Sequence, residues 1–408
     1  MKEVELINEY KSPVYVYDYD IINDRCNKLY AFKKKLEIKL NRRVTMHYSP
    51  KANSNPSILK IVKENNLGVD SMSPLELSIV KKCGFNNEEI LYVCNNIDQE
   101  EMKLVHDNNI LICLDSISQV ETWGKLFPQT NIMVRINPGT IGVGHSNKVI
   151  TSGKDTKFGI SEDNLNNLFD VVKRYSLNII GVHQHLGSLF LDDKIDNYIL
   201  GVQAGLKIIK KYFKNLEVVD LGGGFGVPYK PNEKKLNLDK VEEKLENILL
   251  DFIKEYPSVK EFKFEPGRYI PCESGKIIGK VTSTKYENDK WWIGTDIGMN
   301  ELVRPSMYDS YHEIYFITDN KKEVQANICG NVCESGDLLA KNRMVILPNV
   351  GDIVVVKNAG AYGYSMASNY TGRVRPAEVL IKDNKDILIR KRETIDYLCE
   401  NIIWKEDL

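Results

Sequence analysis

With 408 residues, 42% of them hydrophobic and 27% charged, the chain has the composition of a globular protein and the length of two domains. Its 55 Lys and Arg against 56 Asp and Glu leave a net charge of −1, which gives no long-range pull toward nucleic acid or an anionic membrane. No run of about 18 apolar residues reads as a membrane span, charges interrupt MKEVELINEYKSP where a signal peptide needs an apolar core, and the expected location is the cytoplasm.

The segment SPVYVYD reads as a strand that joins a later domain. Eight short apolar runs then fill the first 270 residues, nearly all closing on polar or glycine-rich residues. They are VTMHYSPK to Lys51, LGVDSMS to Ser73, ILYVCNN to Asn96, ILICLDS to Ser116, NIMVRINPG to Gly139, IIGVHQHLGS to Ser188, LEVVDLGGGFG to Gly226 and FKFEPGR to Arg268. Amphipathic stretches separate them, from IINDRCNKLYAFKKKLEIK to LDKVEEKLENILLDFIKEY. Ser73 before Pro74 and Ser161 before Glu162 are expected helix caps. Eight such alternations predict an α/β fold, a closed (β/α)₈ barrel of the TIM type with its chemistry at the carboxyl ends of the strands. After Arg268, runs such as GKIIGKVTSTKYE, DIVVVKNAG and AEVLIKDNKDILIRKR predict a second, all-β domain, a small barrel or sandwich. The expected domains are the barrel over 22–268 and the β domain over 1–21 and 269–408.

Eight cysteines scattered through a chain this large predict reduced thiols rather than a disulfide framework. His183 and His185, two apart on a strand, could share one face, but no third or fourth ligand presents itself, so no metal is expected.

Barrels of this type commonly hold a phosphate on the loops after strands seven and eight. Here those loops are Gly222–Gly226, with four glycines in five residues, and Glu265-Pro266-Gly267-Arg268. Glycine amides approach an anion closely because no Cβ intervenes, and Ser188 could add a hydrogen bond. Lys51 is one of many lysines, but it closes the first strand on the rim facing that anion site, with Glu265 on the neighbouring eighth strand. That is the layout of a pyridoxal phosphate site, with a Schiff-base lysine and a carboxylate that keeps the pyridine nitrogen protonated.

YSPKANSN, GVDSMSPLEL, HQHLGS, DLGGGFGVPY, EPGR, DIGMNELVRPSMYDSYHEI, CESGD and GAYGYSMASNY occur in one order from about Pro13 to Arg392. In this the chain resembles the pyridoxal phosphate-dependent decarboxylases of the alanine-racemase-like fold, and among them it is most similar to the diaminopimelate decarboxylases. The resemblance implies that Lys51 is the Schiff-base lysine, that His185 stacks on the cofactor ring, and that Glu265 pairs with its nitrogen. It places Ser188, Gly224, Gly267 and Arg268 near phosphate or substrate, and Arg304, Tyr308 and Tyr362 in contact with substrate or cofactor. It further implies a homodimer with shared active sites, in which the partner's CESGD loop brings Cys333 as proton donor and Glu334 to the distal amine. On their own, His185 would read as a core histidine and Cys333 as a buried thiol. The implied reaction takes meso-2,6-diaminopimelate to L-lysine and carbon dioxide. Arg268 and Arg304 suit its distal carboxylate.

CESG also occurs at Cys272–Gly275, where it is expected to open a β-strand. Asn331 stands where relatives commonly carry proline, and Thr371-Gly372 replaces an Asn-containing turn. These departures leave a sister decarboxylase for D-lysine, D-ornithine or a carrier-tethered amino acid as the alternative. A racemase would not explain CESGD and RPSMY, a non-catalytic relative would not need Lys51 and Cys333, and a sugar-phosphate barrel would not explain the β domain.

Overall fold

The computed structural model describes residues 2–139, 152–153 and 156–405. The chain divides into two compact units: Met1–Ile22 with Tyr229–Pro231 and Pro271–Leu408, and Asn23–Pro228 with Asn232–Ile270. In chain order β1 (Val14–Asp18) belongs to the first of these. The second contains β2 (Arg43–Tyr48), β3 (Gly68–Ser71), β4 (Ile90–Val93), β5 (Leu111–Leu114), β6 (Asn131–Asn137), the two-residue β7 (Ile160–Ser161), β8 (Asn178–His183), β9 (Val218–Asp220) and β10 (Glu261–Phe264).

Every neighbouring pair in this second unit is parallel. The order β5-β4-β3-β2-β10-β9-β8-β6 is closed by a further β5–β6 pairing, so eight strands form a ring. The predicted (β/α)₈ barrel is the observed one. Strands covered on both sides read as continuous apolar runs, and β4 and β9 are buried at every position. Leu91, Val93, Cys113, Met133 and Val218 make one cluster of the barrel core.

α1 (Lys2–Tyr10) precedes β1, and α2 (Tyr19–Leu40), α3 (Pro56–Glu64), α4 (Pro74–Lys82), α5 (Gln99–Asp107), α6 (Ile117–Leu126), α7 (Leu165–Arg174), α8 (Ile195–Tyr212) and α9 (Leu238–Glu255) alternate with the barrel strands. Several of the turns into these helices end on a capping side chain. Ser73, Asp98, Ser116 and Asn237 accept the backbone N–H groups of Glu76, Glu101, Gln119 and Lys240. Ser161 does not cap a helix as expected. A 3₁₀ turn over Glu162–Asn164 intervenes before α7, and its hydroxyl accepts from Asn164 Nδ2 at 3.0 Å.

Register sets which residues meet inside the ring. Arg135 stands opposite His183, His183 opposite Asp220, and Asp220 opposite Lys263. Side chains at one level of adjacent strands point the same way. A row of polar groups therefore crosses four strands.

The other unit is mostly sheet. Its nine strands run β15-β14-β12-β11-β1-β17-β18, with β16 pairing to β11 and β13. Here β11 is Gly275–Glu287, β12 Lys290–Thr295, β13 Ile314–Ile317, β14 Glu323–Cys329, β15 Leu338–Ile346, β16 Ile353–Val356, β17 Ala377–Lys382 and β18 Lys385–Arg390. The long β11 carries the sheet around a bend. Its first half lies between β1 and β16, and after an irregularity between Val281 and Ser283 its second half pairs with β12. The first CESG forms the turn before β11, which opens at its glycine, Gly275. Two short helices, α10 (Arg304–Tyr308) and α11 (Ile395–Cys399), complete this unit. Val14, Val16, Ile278, Val355 and Val379 pack its core, with Leu6 and Ile7 of α1 laid against them. Among the described residues no helix is long and apolar enough to cross a membrane.

Candidate active site

Lys51 sits just past β2, in a 3₁₀ turn over Pro50–Ala52. Its Nζ lies 3.2 Å from Asp70 Oδ2, and that carboxylate, near the end of β3, is fully buried. Ser49 Oγ donates to the same oxygen at 3.2 Å. An aspartate inside an apolar strand is costly unless paired, and the Lys51 amine is what it is paired with.

Glu265 follows β10 and is 4% exposed. His183 Nε2 lies 3.1 Å from its Oε2, while its Oε1 is buried without a hydrogen-bond partner. Burial, then the nearby Asp70 charge, pushes the Glu265 carboxyl up to about 8, against the pull of Lys51 and Arg135. Asp220, at the end of β9, is likewise pushed well up by burial. Burial takes the His183 imidazole down to about 4, which leaves it neutral.

The glycine turn offers an anion fewer amides than its composition predicts. Gly222 N–H donates to Asp220 Oδ1 at 2.9 Å, Gly223 N–H to His185 Nδ1 at 3.0 Å, and Gly226 N–H to Phe190 O at 2.9 Å. Gly223 is glycine for close packing, since a Cβ there would lie 2.0 Å from the Glu265 carbonyl oxygen. Gly224, at φ +103°, has no backbone acceptor for its N–H among the described residues and is the amide best placed for an anion. Arg268 Nη2 donates to Ser188 Oγ at 3.2 Å, so these two predicted residues are together at the same end of the ring. Gly267 lies between Glu265 and Arg268 in that loop and is buried.

His183 and His185 do not share one role. The strand ends at His183, which turns to Glu265, and His185 lies beyond it against Gly223. His183, Asp220 and Glu265 bring one nitrogen or oxygen each within 4.8 Å of one another, a cluster of three that leaves His185 out.

Arg304, Tyr308, Cys333, Glu334 and Tyr362 belong to the sheet unit. Arg304 is 1% exposed. His312 Nδ1–H donates to the Lys357 carbonyl at 2.8 Å, so its Nε2 accepts from Arg304 Nη1 at 3.0 Å, and the guanidinium lies 4.6 Å from the centre of the Tyr229 ring. The RPSMY and CESGD motifs meet through Ser306 Oγ, which donates to Gly336 O at 2.7 Å. Asp337 explains the final letter of CESGD: its carboxylate accepts from Val332 N at 2.8 Å and Met299 N at 2.6 Å, fixing the loop. That loop leaves Cys333 exposed rather than buried, and Glu334 accepts from the Tyr370 hydroxyl. Tyr362 has a left-handed backbone at φ +56° and so does Thr371 at +57°, a conformation uncommon for a β-branched residue. Arg373 Nη2 donates to the Asn331 carbonyl at 2.7 Å, so both departures noted in the sequence fall on the segments that frame Glu334.

Neither spacing nor motif points to Asp70, Arg135 or Asp220, and spacing marks His183 only as one of a histidine pair. The available signal was an acidic residue inside an apolar run, in LGVDSMS and in LEVVDLGGG.

A barrel with an amine, a buried carboxylate and a glycine turn at its strand ends defines an enzyme that works on a bound phosphorylated aldehyde. The donor set fits pyridoxal phosphate: Lys51 for the aldehyde, Glu265 with one unpartnered oxygen for the ring nitrogen, and Gly224 beside Ser188 and Arg268 for the phosphate. The pyridoxal-binding domain of the pyridoxal-dependent decarboxylases matches residues 23–272. The diaminopimelate decarboxylases of Methanothermobacter thermautotrophicus and Aquifex aeolicus are 35% and 33% identical to the chain, over 97% of it and 92% and 93% of their own lengths. The solved diaminopimelate decarboxylase of Helicobacter pylori complexed with L-lysine has a TM-score of 0.86 at 31% identity, with 97% of this chain and 98% of that one covered. The chain belongs to the diaminopimelate decarboxylase family of pyridoxal-dependent decarboxylases, and its cofactor is pyridoxal phosphate.

Proposed function

We propose that the chain decarboxylates meso-2,6-diaminopimelate to L-lysine and carbon dioxide. The observation that carries this reading is the Lys51 amine on buried Asp70, in the same strand-end mouth as a Glu265 carboxylate with an open oxygen. The bound cofactor supplies an electron sink for the pair left on Cα when carbon dioxide departs. With the cofactor bound, Lys51 would hold it covalently, His185 would pack on its ring and Glu265 would pair with its ring nitrogen. Gly224, Gly267, Ser188 and Arg268 would lie about its phosphate. Planar guanidinium groups suit the distal carboxylate of the substrate, the role assigned to Arg268 and Arg304, and Tyr308 and Tyr362 are assigned to substrate or cofactor. Glu334 takes the distal ammonium, and Cys333 returns the proton to Cα.

Cys333 and Glu334 are assigned to the partner subunit of a homodimer with shared sites. Their exposure supports this, since a loop that serves another chain must be reachable from outside its own. The free cysteines suit a cytoplasmic enzyme. L-Lysine, bound to the Helicobacter pylori relative, is the product in this reading. The test is carbon dioxide release from meso-diaminopimelate, D-lysine, D-ornithine and L-ornithine. The expected result is turnover of the first, with the others slower by at least about a hundredfold, the order of cost when buried charged groups are left without a partner. Faster turnover of D-lysine or D-ornithine would replace this substrate by the alternative.

A further inference from the structure

Four carboxylates crowd the barrel mouth: Asp70, Asp115, Asp220 and Glu265. Two have cationic partners, with Asp70 3.2 Å from Lys51 and Asp115 3.5 Å from Arg135. Asp220 and Glu265 have none among the described residues. Glu265 Oε2 lies 3.1 Å from the neutral His183, which stands opposite Asp220, and one oxygen of each carboxylate, Asp220 Oδ2 and Glu265 Oε1, is buried without a hydrogen-bond partner. The charged and titratable groups facing them include Asp70, Lys51 and Arg135, Cys113 from β5, Tyr198 from α8 and Lys263 from β10, with Asp115 facing His183. Two adjacent buried carboxylates cannot both ionise cheaply.

We propose that His183 and Asp220 are positioning residues for Glu265, which together hold a single negative charge at a fixed oxygen and match it to one cationic ring N–H. This rests on the reading of Glu265 as the partner of the cofactor nitrogen. In this arrangement the neutral imidazole carries its proton on Nε2 and donates to Oε2, 3.1 Å away, which holds the carboxylate in place and leaves Oε1 as the oxygen presented. Asp220 is tied through Oδ1 to Gly222 N–H, which joins the placement of the charge to the glycine turn. The arrangement is a consequence of register: His183 and Asp220 stand opposite each other on β8 and β9, respectively two strands and one strand away from β10, which leads into Glu265.

The test uses the cofactor-loaded enzyme and reads the visible absorbance of bound pyridoxal phosphate against pH, together with its dissociation constant. Removing a hydrogen bond to a charged group is expected to shift both by about tenfold or more. His183→Leu should therefore move the spectral titration by at least one pH unit and weaken cofactor binding. His183→Gln, which can restore an N–H near Nε2, should recover most of both. Asp220→Asn keeps an acceptor for Gly222 and removes the second acid, and should also move the titration. It decides the matter if His183→Leu does not fold. An unchanged titration in folded His183→Leu, or in Asp220→Asn where the leucine variant does not fold, would overturn the proposal, as would failure of glutamine to recover what leucine loses. Glu265→Gln separates the two layers. If it too leaves the spectrum unmoved, the reading of Glu265 has failed and takes this one with it; if only the His183 and Asp220 variants are silent, this inference alone is wrong.

Discussion

Glu265 spends most of its surroundings on opposing its own charge, and that has a thermodynamic signature. Its carboxyl ordinarily titrates near 4.5 and is held near 8 by burial and by Asp70. Between those values the native state binds a proton that the unfolded chain does not. The contribution of Glu265 to stability is therefore whole below about pH 4.5 and is lost as pH rises to about 8. In cofactor-free protein, the melting temperature should fall across that window, and Glu265→Gln should flatten the fall by a few degrees. An identical slope in both proteins would mean that the carboxylate is ionised throughout. Lys51 illustrates the limit of sequence at this scale. Its position at the end of a strand was legible, but the partner that orients it, Asp70, lies 19 residues away and is recognisable only once β2 and β3 are adjacent.

At the scale of elements, the glycine turn after β9 is tightened by its neighbours. Gly222 is at φ +69°, and Gly223 passes within van der Waals contact of the strand-end backbone of Glu265. Gly223→Ala should cost about 1–3 kcal/mol in a denaturant titration, because the atom in its way is backbone and has no rotamer to change. Gly336→Ala, where a new Cβ meets nothing within 4 Å, should stay within about 0.5 kcal/mol of wild type. Equal costs at the two sites would refute the packing argument. Strands and helices of the barrel were readable because each strand is a buried apolar run and each helix has one buried face. The α1 helix was not, since Leu6 and Ile7 are its only buried residues and four of its other seven are charged. The glycines were legible as a turn at the phosphate end. Their engagement by Asp220, His185 and Phe190 was not, because a hydrogen-bond partner from another strand leaves no local mark.

For the molecule as a whole, the two-unit organisation was visible as a change from helical to strand-like periodicity after Arg268. The excursion of Tyr229–Pro231 into the sheet unit was hidden, since three residues carry no pattern of their own. Assembly is the property to test at this scale. If Lys51 and Cys333 of one site come from different subunits, mixing Lys51→Ala with Cys333→Ala under conditions of subunit exchange should restore about a quarter of wild-type activity. Half the dimers would be mixed, and each would hold one intact site. Mixed dimers that form and remain inactive would place both residues in the same subunit.

The level row of Arg135, His183 and Asp220 across β6, β8 and β9 makes the barrel intolerant of a particular kind of genetic change. A one-codon insertion or deletion within β8 would turn His183 from the lumen toward the surrounding helices while leaving composition and hydropathy almost untouched. Indel scanning should accordingly find β8 among the least permissive stretches of the gene, in contrast to the turn at Asn288-Asp289, where both residues already adopt left-handed conformations outside the ring.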